Sequence, residues 1–216
     1  MNRLKLKFKY GTLLLFWPLF GLVFLFLERF RTIPYYIPTY CRVDDIIPFN
    51  EWFIIPYMFW FVYLIGMISY TFFKDKTAFV HLMKYLMFAN TLALIIFIVF
   101  PTCQNLRPSV FPRDNFLTRF IGKFYLFDTN TNVAPSLHVV DSVAVLTASM
   151  NMKRFRTKGW RICFATACLF ICASTVFLKQ HSIVDVFIAV PVCFAADIAA
   201  YGEPIRINSR KQRIRV

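Results

Sequence analysis

Along this chain, long apolar runs alternate with short clusters of charge. A bilayer crossing needs about 20 predominantly apolar residues. Six segments reach or approach that length: residues 11–27, 52–73, 79–100, 136–152, 162–178 and 181–202. None leaves the broad polar face that a water-exposed helix of this length requires. The pattern predicts an all-α integral membrane bundle of six transmembrane helices, forming a single domain over residues 1–216. Two longer connections, residues 29–51 and 101–135, interrupt the rhythm on one side of the bundle. The first is rich in Pro and Tyr, and its aromatic rings suit the membrane interface. In the second, residues 115–127 are aromatic and weakly amphipathic, with Arg119 and Lys123 four apart. That stretch predicts a short helix lying in the interface.

Composition agrees with this reading. The chain is 58% hydrophobic and only 17% charged, which excludes an ordinary soluble domain. The first apolar run is followed by "ERFRT" rather than a small-residue cleavage site, so it reads as a span and not as a signal peptide. Lys and Arg in the flanking segments predict the orientation. The N-terminal "MNRLKLKFK", the turn "KDK", the loop "KRFRTKGWR" and the tail from Glu203 fall on one side and hold 16 of the 25 basic residues. Both termini are therefore expected in the cytoplasm, and the two long connections outside. The net charge of +14 follows from this bias and from attraction to anionic lipids at the cytoplasmic face, so no nucleic-acid partner is expected. The six cysteines show no metal-binding spacing. Cys41 and Cys103 fall on the outer side, where a disulfide is allowed but not indicated.

The chemistry-bearing residues collect at one level. His138 and His181 each begin an inward-running span at the outer face, and the connection carrying Arg107 opens onto the same surface. Ionisable groups in such places mark function by default. A helix N-terminus offers free N–H groups and the positive end of a dipole, which suits a phosphate. Ser136 adds a hydroxyl there, and Arg107 and Lys179 add cations that can stabilise charge on phosphate oxygens. Lys179 could equally cap the fifth span or snorkel from its end. Asp185 lies four residues after His181, one helical turn away on the same face. A carboxylate there holds one ring nitrogen as N–H and leaves the other as a nucleophile. His138 can protonate a leaving oxygen and then deprotonate water. Zinc on His138, His181 and Asp185 is the weaker reading, because Lys179 and Arg107 would repel a cation. Asp44, Asp45 and Glu51 are either ordinary solvated residues or line a head-group entrance.

These residues also resemble a known family. "RP" (Arg107-Pro108), "PSLH" (Pro135 to His138) and "STVFLKQHSIVD" (Ser174 to Asp185) are similar in order, spacing and topology to the three motifs of the type 2 phosphatidic acid phosphatase superfamily. Two positions depart from its pattern: the first-motif Lys would fall at Phe100, and the third-motif Arg is Thr175. The Leu of the second motif and the missing Arg resemble the branch containing inositol-phosphorylceramide synthases and related bacterial proteins. The resemblance implies His181 as nucleophile, a phosphohistidine intermediate, His138 as acid–base, Ser174 in the phosphate site and no metal or cofactor. It implies a lipid phosphate phosphatase, with a transferase passing a phosphoalcohol to a lipid hydroxyl as the alternative. A non-catalytic lipid-binding or transport protein is the third possibility. The expected place is a bacterial cytoplasmic membrane, with the site facing outward and a lipid phosphate as substrate.

Overall fold

The computed structural model describes residues 10–202. Its helices are α1 (Phe16–Arg29), α2 (Val43–Ile46), α3 (Ile54–Lys74), α4 (Lys76–Val99), α5 (Phe116–Phe127), α6 (Leu137–Asn151), α7 (Lys158–Phe177) and α8 (Ile183–Tyr201). Among the described residues, with flanking turns, five stretches are long and apolar enough to cross a membrane: Thr12–Arg29, Glu51–Lys74, Lys76–Val99, Lys158–Phe177 and Ile183–Tyr201. The architecture is consistent with an all-α membrane bundle.

The sixth expected span differs in kind. Helix α6 has 15 residues, about 22 Å at 1.5 Å per residue, against a hydrocarbon core of about 30 Å. It packs against α3, α4, α7 and α8, and buries Val140, Asp141, Ala144, Val145, Thr147 and Ala148. Protein rather than lipid surrounds it, which is why it can carry Asp141, Ser142, Thr147 and Ser149. The Asp141 carboxylate accepts from Asn90 Nδ2 of α4 at 2.8 Å. Helix α1 is the opposite case: only Leu27 is fully buried, Trp17, Val23 and Phe24 pack partly against the bundle, and Leu19, Leu22, Leu25 and Phe26 are exposed.

The helix ends sort into two layers. At one, Tyr57 near the start of α3 meets His138 at the start of α6, and Ser136 N donates to Asp185 O of α8 at 3.3 Å. The end of α7 joins them, with Asn50 N donating to Phe177 O at 3.0 Å. Leu27 of α1 and Phe97 of α4 pack there with Leu137. At the other layer, Tyr70 meets Phe155, and His81 meets Tyr201. Lys74, Lys76, Lys153, Arg154 and Lys158 sit at the helix ends of that second layer. The basic segments 1–9 and 203–216, on which the expected placement of the termini leaned, lie outside the described residues.

The two long connections are pinned to each other. Strands β1 (Ile37–Pro38) and β2 (Thr102–Cys103) pair in parallel. Glu51 is buried and accepts from Arg113 and, at 3.0 Å, from Asn115 Nδ2. Asn115 also closes a capping box with Thr118 at the start of α5, which forms where the amphipathic stretch predicts it. Thr102 Oγ1 accepts from Val133 N and Ala134 N, fixing the chain just ahead of α6. Cys41 and Cys103 are free thiols.

Candidate functional site

The start of α8 is built by side chains that replace missing helical partners. Ser182 is the N-cap and accepts from Val184 N at 3.1 Å, while Asp185 Oδ2 returns a bond from Ser182 N at 3.0 Å. This reciprocal pair satisfies two of the donors that every helix start leaves open. Asp44 from the first connection accepts from Ile183 N at 2.8 Å, Ser182 Oγ at 2.6 Å and Cys41 N at 2.8 Å. Asp44 and Glu51 are thus buried structural anchors, not solvated groups or a head-group entrance; Asp45 is exposed and accepts from the Tyr40 hydroxyl.

His181 sits one residue ahead of that cap, at the end of a chain reversal. Helix α7 closes with Lys179 N donating to Val176 O and Gln180 N to Thr175 O, both at 3.0 Å. These are the paired bonds of a Schellman ending, whose left-handed residue is usually Gly. Here it is Lys179, at φ 54°. A side chain in that conformation costs about 1–2 kcal/mol. The Lys179 ammonium offsets this by donating to the carbonyls of Asp44 and Ile47. The same reversal lets His181 N donate to Thr175 O at 3.0 Å. His181 Nδ1 lies 3.2 Å from Asp185 Oδ2, which favours the proton on Nδ1 and leaves the Nε2 lone pair free.

His138 faces it from the start of α6. Its ring lies 4.1 Å from Tyr57 and 4.4 Å from Trp60, centroid to centroid, and its Nε2 is buried with no partner among the described residues. The two imidazoles are 6.3 Å apart at 62°. Both line a cavity of about 280 Å³. Among the described residues no side chain caps α6, so its first-turn N–H groups beside the cavity are unspent there.

The predicted catalytic residues therefore meet, but none of the four predicted phosphate ligands lines the cavity. Lys179 is turned to Asp44 and Ile47. Burial lowers its pKa. Ser174 Oγ donates to Ile171 O at 2.6 Å inside its own helix. Ser136 is buried, with Oγ unpartnered among the described residues. Arg107 stacks on Tyr125 and donates to the carbonyls of Tyr125, Asp128 and Thr129 and to Gln180 Oε1. It braces the second connection behind the cavity wall, and burial lowers its pKa.

Other groups take their place at the wall. Gln180 is 2% exposed, and its Nε2 has no partner among the described residues. Glu28, Asp128 and Asn132 also line the cavity. Nothing local in the sequence marks them; Glu28 reads as the polar end of a span and Asn132 as a loop residue. Only Gln180, beside His181, carried a positional hint. Among the described residues no group of three or more His, Cys, Asp or Glu side chains is placed to hold a metal ion. No family model matches the chain, and no curated protein or solved structure shows significant similarity to it.

Proposed function

We propose that the chain is a membrane enzyme that cleaves a phosphate ester of a lipid through a phosphohistidine on His181, without a metal. The observation that carries this reading is the Asp185–His181 pair facing His138 across a partly open cavity, with the ring centroids 6.3 Å apart. That gap admits a phosphoryl group bonded to one ring and hydrogen-bonded to the other. In the first half-reaction, the Nε2 lone pair of His181 bonds to phosphorus. The P–O bond to the lipid alcohol breaks, and the leaving oxygen takes a proton from His138. In the second, water gives a proton to His138, its oxygen bonds to phosphorus, and the P–N bond breaks with its electron pair returning to Nε2.

Charge on the phosphoryl oxygens is met by the open start of α6 and by Gln180 Nε2, donors that no other group consumes among the described residues. Asp185 holds the tautomer. The cavity end of the bundle is read as the outer face, with the basic helix ends of the opposite layer toward the cytoplasm. The test is to incubate the purified protein with labelled lipid phosphates, with and without lipid alcohols. Free phosphate or a phosphoalcohol in water supports hydrolysis, and a labelled new lipid supports transfer. No cleavage of any lipid overturns the enzymatic reading in favour of a lipid-binding role.

A further inference from the structure

The cavity wall is ill-suited to a purely anionic head group. It carries the carboxylates of Glu28 and Asp128 but no Lys or Arg side chain. Glu28 accepts from Asn132 Nδ2 at 2.6 Å, and Asp128 accepts from the Tyr57 hydroxyl at 3.3 Å. These neutral donors leave much of each carboxylate's accepting capacity open. Asn132 is 5% exposed, and its Oδ1 is buried without a partner among the described residues. An orphaned buried acceptor costs roughly 1–3 kcal/mol, so the wall calls for a donor or a cation.

The nearest guanidinium groups act on the Asp128 carboxylate only through space, and their hydrogen bonds go to other groups. Arg29 donates to the Phe127 carbonyl, and Arg107 to its carbonyls and Gln180. Aromatic rings complete the lining, including Trp60 and the stacked pair Phe20 and Phe24, 5.9 Å apart. Ring faces attract cations and suit quaternary ammonium groups in particular. Burial pushes the Asp128 carboxyl above its usual range, an opposing effect that a neighbouring cation reverses.

We propose that the cavity takes an ammonium-bearing head group of the choline or ethanolamine class, with its phosphate at the histidine pair and its cation against Glu28, Asp128 and Asn132. The binding step stands on the wall itself, while the covalent step rests on the phosphate-ester reading. In that step His181 Nε2 bonds to phosphorus, and the P–O bond to the diacylglycerol oxygen breaks. That oxygen takes a proton from His138, and the aminoalcohol stays on phosphorus. Water or a lipid hydroxyl then gives its proton to His138 and bonds to phosphorus as the P–N bond returns its electrons to Nε2.

Binding is measured first. The tryptophan fluorescence of the purified full chain is titrated with phosphocholine, phosphoethanolamine, glycerol 3-phosphate and inorganic phosphate. At least one ammonium compound is expected to bind about tenfold tighter than the other two, a difference of about 1.4 kcal/mol. Glu28→Gln and Asp128→Asn, which keep acceptor oxygens for Asn132 and Tyr57, are expected to remove most of that preference. Equal or tighter binding of glycerol 3-phosphate, or a preference untouched by both variants, overturns the proposal. A preference for phosphocholine assigns the quaternary group, and one for phosphoethanolamine the primary amine. Turnover then separates the two readings. Cleavage of labelled phosphatidate but not of phosphatidylcholine or phosphatidylethanolamine sinks the head-group proposal and keeps the phosphate-ester reading. An ammonium preference with no lipid cleaved keeps the binding site and removes the enzyme.

Discussion

Helices α6 and α8 begin within hydrogen-bonding distance of each other, Ser136 N donating to Asp185 O, yet their first turns are finished differently. At α8, Ser182, Asp185 and Asp44 accept from Val184 N, Ser182 N and Ile183 N. Two carboxylates already occupy the place an anion would take. At α6, Ser136 stands in the equivalent position and caps nothing. A serine ahead of an apolar helix is thus no guide to which helix start is free. What distinguishes them is the first connection, which delivers Asp44 to one and nothing to the other. The finished start holds the nucleophile candidate rigid, and the open one is left to meet the substrate's charge.

The largest expected effect falls on the rigid side. His181→Ala should lower lipid phosphate turnover by at least about a thousandfold, with an unchanged detergent gel-filtration profile. Near-normal turnover would remove His181 from the chemistry. Next is the cap beneath it. Asp44→Ala strips three donors of a buried acceptor. It should cost about 3 kcal/mol, seen as an early thermal unfolding transition. A variant as stable as the parent would mean that α8 does not depend on the first connection.

Lys179→Met sharpens the contrast further. It leaves the Asp44 and Ile47 carbonyls without their ammonium and keeps the left-handed backbone. The expected cost is about 2 kcal/mol of stability, with turnover per folded molecule within about threefold of the parent. A stable but slow variant would restore the lysine to the phosphate site. The smallest effect belongs to the open start. Ser136→Ala should leave stability unchanged or raise it by up to about 1 kcal/mol, because it removes a buried hydroxyl that bonds nothing among the described residues. A loss comparable to that of Asp44→Ala would erase the distinction between the two helix starts.

What could be read from the sequence follows from how local each feature is. Hydropathy located the helices, including the amphipathic α5, because apolar patterning is a property of the run itself. The His181–Asp185 spacing also speaks for itself, since four residues span one helical turn. Hydropathy did not separate a lipid-facing helix from an enclosed one: residues 136–152 look like a weaker copy of their neighbours, and only packing reveals α6 as the centre. The cation assignments failed for a related reason. Lys179 lies close to His181 in sequence, but the Schellman reversal swings it toward Asp44 and Ile47. Glu28, Asp128 and Asn132 converge only through the fold, from α1 and the second connection, so no spacing in the chain announces them.

The enclosure of α6 also bears on how the protein is made. A 15-residue segment with Asp141 in its first third is a poor substrate for insertion into lipid on its own, because an Asp opposes membrane partitioning by up to about 2.5–3.5 kcal/mol, the cost at a helix centre. Its partner for that carboxylate, Asn90, is synthesised earlier, on α4. Helices α7 and α8, which complete its surroundings, emerge later. Biogenesis therefore passes through a stage in which the future centre of the bundle has only part of its shell. At that stage α3 and α4 can already pack on α6, and the hydrogen bond from Asn90 partners its buried carboxylate while the remaining helices arrive.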